Sequence, residues 1–119
     1  GMVSTVPDLL TWGRALWRDG KVLQPATLTE AEHFTQYGTG LGMLAFSRRS
    51  RAFCVFIGCR GNAVAFDGPG GSGEFPGART TVMYDPQLDT VVSVAVTSSV
   101  QANAELLTGA ILDVVARAR

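Results

Sequence analysis

The sequence predicts an α+β fold, an antiparallel sheet with N-terminal and C-terminal helices packed against it. Three observations point there. Apolar residues recur at helical spacing near both ends, at Leu9, Trp12 and Leu16 and again at Ala104, Leu107 and Ile111. Between them the period changes to two, in runs rich in β-branched and aromatic residues. A length of 119 residues predicts one domain over 1–119, and 46% hydrophobic with 17% charged residues is a globular composition rather than a disordered one.

The first helix is predicted from Thr5 to a stop at Gly20. Thr5 and Asp8 form a Thr-x-x-Asp start, and Pro7 sits in the first turn, where its missing N–H costs nothing. Trp12 and Trp17 are read as packing residues rather than as an aromatic binding face. Pro25 restarts a short helix that runs to about His33, which is read as a surface or C-terminal capping residue. From Tyr37, Leu41, Met43 and Ala45 alternate with Gly42, Leu44 and Phe46 as a strand. Arg48, Arg49 and Arg51 form a solvated hairpin tip before a second strand over Ala52 to Ile57. A turn at Arg60 to Asn62 leads to a short third strand over Ala63 to Phe66. The glycine-rich stretch Gly68 to Gly77 reads as a loop and the start of a strand, needing positive φ and no bulk. Arg79 to Tyr84 and Thr90 to Thr97 are strands joined by a turn at Asp85 to Asp89. An amphipathic helix closes the chain from Ala104, marked by Leu107, Ile111, Leu112, Val114 and Val115 and capped by Asn103 or a Ser or Gln just before it.

Charge and composition exclude several function classes. Ten basic residues balance ten acidic ones, so no electrostatic footprint for nucleic acid is expected. No run approaches the roughly 18 apolar residues of a membrane span, and no signal peptide is visible. Cys54, Cys59 and the lone His33 cannot complete a structural zinc site, so no metal is expected. Gly68, Gly70 and Gly73 have dinucleotide-fingerprint spacing, but Pro76-Gly77 follows where a helix must begin. Gly20-Lys21 is followed by Val22, not by the Ser or Thr of a phosphate loop, and no cofactor is expected.

Serine chemistry fails the same counting. A G-x-S-x-G elbow around Ser72 would need Gly where Glu74 stands. Nine of the ten basic residues are Arg, and the single lysine, Lys21, has Arg18 three positions before it, so no Ser-x-x-Lys exists. Neither Tyr37 nor Tyr84 begins a Tyr-x-Asn.

These absences matter because four stretches resemble the C-terminal portion of the serine β-lactamase-like hydrolases, the group of class C β-lactamases, D-alanyl-D-alanine carboxypeptidases and related esterases. Gly1-Met2-Val3-Ser4-Thr5-Val6-Pro7-Asp8-Leu9 is similar to the stretch that opens a helix beside that family's active site. Pro25-Ala26-Thr27-Leu28 resembles the helix that follows, and Tyr37-Gly38-Thr39-Gly40-Leu41-Gly42 the approach to a strand. Gly70-Gly71-Ser72-Gly73-Glu74-Phe75-Pro76-Gly77 resembles the family's Gly-His-Ser-Gly-x-x-Pro-Gly. The resemblance implies that Gly71, Ser72 and Gly73 occupy the substrate-lining strand, with Gly71 standing where the family carries His or Lys.

It also implies that the nucleophile, its lysine and the tyrosine base belong to segments outside this chain. No residue here is therefore expected to be catalytic, since an activated serine and an oxyanion hole act together. The expected function is a C-terminal fragment or truncated member of such a hydrolase, not catalytic on its own. The alternative is a stand-alone structural or peptide-binding module derived from that fold. Gly1-Met2 fits either a fragment or a short reading frame preceded by a tag scar. In the family, N-terminal strands pair beside the last strand, which implies an unpaired edge at Thr90 to Thr97. The expected partner is a second copy, giving a homodimer, or the missing catalytic part.

Overall fold

The computed structural model describes residues 2–47, 67–98 and 104–119. The arginine cluster, both cysteines, the two strands expected over 52–66 and the cap expected at or before Asn103 lie outside them. Within the described residues the chain is a four-stranded antiparallel sheet between helices, which bears out the α+β class. The strands are β1 (Leu44–Ser47), β2 (Asp67–Phe75), β3 (Ala78–Asp85) and β4 (Thr90–Val96), in the spatial order β1-β2-β3-β4. The helices are α1 (Val6–Gly13), α2 (Pro25–Ala31) and α3 (Ala104–Ala118).

Helix α1 starts as its sequence dictates. The Asp8 N–H donates to Thr5 Oγ1 at 3.2 Å, and the Thr5 hydroxyl donates to Asp8 Oδ2 at 2.8 Å. The helix does not run regularly to Gly20; from Arg14 to Arg18 it widens into a π-helical turn, and Gly20 then takes φ 59°. The wider turn buries Leu16 and Trp17 while Trp12 remains 51% exposed, so only one tryptophan packs. Helix α2 ends at Ala31 rather than His33, and His33 is exposed.

The strand expected from Tyr37 is shorter than its alternation suggests. Gly38 and Gly42 both adopt positive φ and fold 37–43 into turns, leaving β1 only Leu44–Ser47. The larger correction concerns the glycine-rich stretch. It is not a loop: Asp67 to Phe75 is one continuous strand, paired to β1 from Leu44↔Gly70 to Ser47↔Asp67 and to β3 from Gly70↔Met83 to Phe75↔Ala78. Positive φ occurs only at its end, in Gly77 (φ 87°), where the hairpin reverses. What the strand needs is absence of bulk: a Cβ on Gly70 would lie 2.6 Å from the Val82 carbonyl oxygen and 2.7 Å from the Phe46 ring.

Strand alternation sorts side chains to two faces. On one face Phe46, Met83 and Val92 meet Leu112 of α3 to form the core, with Leu44, Leu88 and Val94 packed around it. On the other, α1 lies against β3 and β4, so close that a Cβ on Gly13 would lie 2.9 Å from Val91. The β3–β4 hairpin is held by Asp85, whose buried carboxylate accepts from the N–H groups of Gln87 (2.9 Å) and Leu88 (3.0 Å). Arg18 clasps Asp89 on that hairpin with two hydrogen bonds, at 3.0 and 2.8 Å, tying the end of the π turn to the sheet. The hydrogen bond from Arg18 and its positive charge hold the Asp89 carboxyl below its ordinary value.

Helix α3 presents a different face from the one its apolar pattern suggests. Ala104, Glu105, Thr108 and Leu112 are buried, while Leu107 is 45%, Ile111 41% and Val114 68% exposed. Thr108 can be buried because its hydroxyl donates to the Ala104 carbonyl oxygen at 2.9 Å.

Candidate functional site

Strand β2 carries Gly71, Ser72 and Gly73 in succession, so their directions alternate across the sheet. Gly71 and Gly73 face the α1 side, as Val82 does, because Gly71 pairs with Val82. A Cβ on Gly71 would find only Val82 Cγ1, at 3.9 Å, and one on Gly73 would find nothing within 4 Å. The position where the resemblance implies a His or Lys is therefore open space.

Ser72 faces the α3 side and lines a cleft with Leu44, Phe46, Gly73, Glu74, Arg79 and Glu105. Its hydroxyl donates a hydrogen bond to Glu105 Oε1. Glu105 sits in the first turn of α3 with its side chain 5% exposed, and Arg79 Nε lies 3.8 Å from its other oxygen. Arg79 Nη2 also donates to Glu74 Oε2 at 2.7 Å. One guanidinium thus stands between two carboxylates, and a serine hydroxyl binds the more deeply buried of them.

The register explains this assembly. Glu74 pairs with Arg79 across the β2–β3 hairpin, and Ser72 pairs with Thr81, so all three polar side chains of the cleft's sheet wall point the same way. Burial of Glu105 is tolerable because it gains hydrogen-bond and ion-pair partners on arrival. Sequence reasoning found Ser72 through its motif and missed Glu74, Arg79 and Glu105. Glu105 follows Ala104 at the start of an apolar helix, and nothing local links it to a serine 33 positions earlier.

The cleft offers a hydroxyl, a guanidinium and two carboxylates. The Ser72 proton is directed to a carboxylate, and the chain's single lysine and single histidine stand elsewhere. Lys21 is 74% exposed and lies 3.5 Å from Asp19, and His33 is on the surface after α2. Among the described residues no cluster of His, Cys, Asp or Glu could hold a metal ion, and no helix is long and apolar enough to cross a membrane. The chain matches no family model, no curated protein and no solved structure.

Proposed function

We propose that this chain is the sheet-forming C-terminal part of a serine β-lactamase-like hydrolase and does not turn over substrate on its own. One observation carries the reading. The two stretches that resemble active-site elements of that family, the helix opened by Thr5 and the strand bearing Gly71, share one face of the sheet, although some sixty residues separate them. On that face the backbone of β2 is flanked by open space at Gly71 and Gly73, which suits a strand that lies along a substrate. The order of helix, glycine-bearing strand, two further strands and closing helix supports it as well.

The catalytic groups would come from the missing part, because Gly71 supplies no side chain and no Ser-x-x-Lys or Tyr-x-Asn is present. A chromogenic cephalosporin and a short-chain nitrophenyl ester test this directly. The expected result is no turnover by the isolated chain, together with an in-frame Ser-x-x-Lys and Tyr-x-Asn encoded upstream of Met2. Turnover abolished by a serine-acylating inhibitor, or a stop codon and ribosome-binding site directly upstream, overturns the proposal.

The second reading, a stand-alone binding module, is favoured by a separate observation. Among the described residues β4 pairs with β3 alone, and no described strand fills its other edge. Its partner under either reading is a second copy or the catalytic part.

A further inference from the structure

We infer that the β4 edge takes a second copy of this chain, in antiparallel register about a two-fold axis at Ser93, with the two α3 helices packing side by side across that axis. The inference rests on the reading of β4 as an unfilled pairing edge and commits to what fills it.

The strand itself carries the first argument. Thr90-Val91-Val92-Ser93-Val94-Ala95-Val96 contains no charge, no Pro and no Lys, so it lacks the usual devices that keep an edge from pairing. It is also close to self-complementary about its centre. Antiparallel pairing at Ser93 sets Val92 against the partner's Val94, Val91 against the partner's Ala95 and Thr90 against the partner's Val96. No like charges meet at any of these positions. Ser93 adds a polar reason for that centre, since its hydroxyl is buried without a hydrogen-bond partner. A two-fold axis there brings it opposite the same hydroxyl of the second copy, where one donates and the other accepts.

Helix α3 supplies an independent argument. Glu105 reaches Ser72 on β2, so that flank of α3 faces the interior of the sheet. Leu107, Ile111 and Val114 lie roughly 150° further round at about 100° per residue, on the flank that overhangs β4. They form an exposed apolar stripe there. Helix α3 packs against both β3 and β4. With strands about 4.8 Å apart, a helix astride the last two has its axis about 5 Å from a two-fold axis at the edge. The paired helices are then about 10 Å apart, at the upper end of ordinary helix packing distances. The strand edge and the stripe are therefore satisfied by one operation, which a strand supplied by an unrelated chain would not achieve.

Sedimentation velocity over a concentration series tests the assembly. The expected result is a monomer–dimer equilibrium, and a monomer throughout overturns it. Ile111→Glu with Val114→Glu changes only exposed side chains, so each copy should keep its circular dichroism. Like charges facing across the axis should raise the dimer dissociation constant about 100-fold. An unchanged constant overturns the helix contact. Ser93→Cys should form an interchain disulfide under mild oxidation, identified as the residue-93 peptide joined to itself. Ala95→Cys should not, because its two copies lie about 14 Å apart along the strands. The reverse pattern overturns the register. A chain that stays monomeric yet binds a separately expressed catalytic part overturns the second copy and leaves the hydrolase reading standing. Turnover by a dimer with the expected crosslink does the opposite.

Discussion

Leu112→Ala separates the face of α3 that holds the fold together from the face that does not. Leu112 is 1% exposed and closes the core against Phe46, Met83 and Val92. The substitution removes three carbon atoms, worth about 0.8 kcal/mol each in transfer, and leaves a cavity between helix and sheet. About 3–4 kcal/mol results, inside the roughly 2–5 kcal/mol span of buried leucine truncations. Leu107 is 45% exposed, so the cost of about 2–5 kcal/mol expected for a buried residue there does not apply. Leu107→Ala should cost about 1 kcal/mol or less. Urea unfolding followed by circular dichroism measures both, at a protein concentration where the chain is monomeric. With a slope of about 1.5 kcal/mol per molar, the Leu112→Ala midpoint should fall by about 2 M and the Leu107→Ala midpoint by well under 1 M. Equal shifts, or a larger one for Leu107→Ala, would refute the assignment of the buried face.

Three further outcomes follow from local geometry. Gly70→Ala should destabilise by about 1–3 kcal/mol, because its methyl group meets a backbone oxygen as well as the Phe46 ring. Gly71→His should unfold within about 1 kcal/mol of the parent, since its Cβ enters open space; a thermal melt that ranks the two the other way would be evidence against the strand's placement. The Arg18–Asp89 clasp should show as a pH-dependent difference between the parent and Arg18→Ala. Because the folded carboxyl is held below its ordinary value, its contribution is fully present above the unfolded aspartate range and is lost as pH falls through the folded value. The advantage is small, as both groups are exposed. Urea titrations repeated down the acid range should show it shrinking, and growth on acidification contradicts the pairing.

Much of the fold was legible because it depends on near neighbours. The Thr5 cap, the turn at Asp85 to Asp89, strands β3 and β4 and the extent of α3 all follow from residue types within a few positions of one another. The glycine-rich stretch misled because glycine tolerates both a loop and an extended strand, and only the partners on either side chose the strand. Helix α3 misled because it is apolar on two flanks. The sheet chose the flank of Ala104, Thr108 and Leu112, with Leu112 packing on Phe46 and Met83, and left the bulkier stripe outside.

The candidate site divides along the same line. Ser72 and its glycine neighbours were visible as a motif, since a motif is a pattern in sequence. Glu74 and Arg79 required the hairpin register, and Glu105 required α3 to dock on the sheet. The sequence by itself determined the α+β class, the β3–β4 hairpin and the absence of a Ser-x-x-Lys. Which apolar flank of α3 is buried, and which carboxylate meets Ser72, was decided only in the tertiary structure, because burial and ion pairing depend on groups brought together across distant parts of the chain.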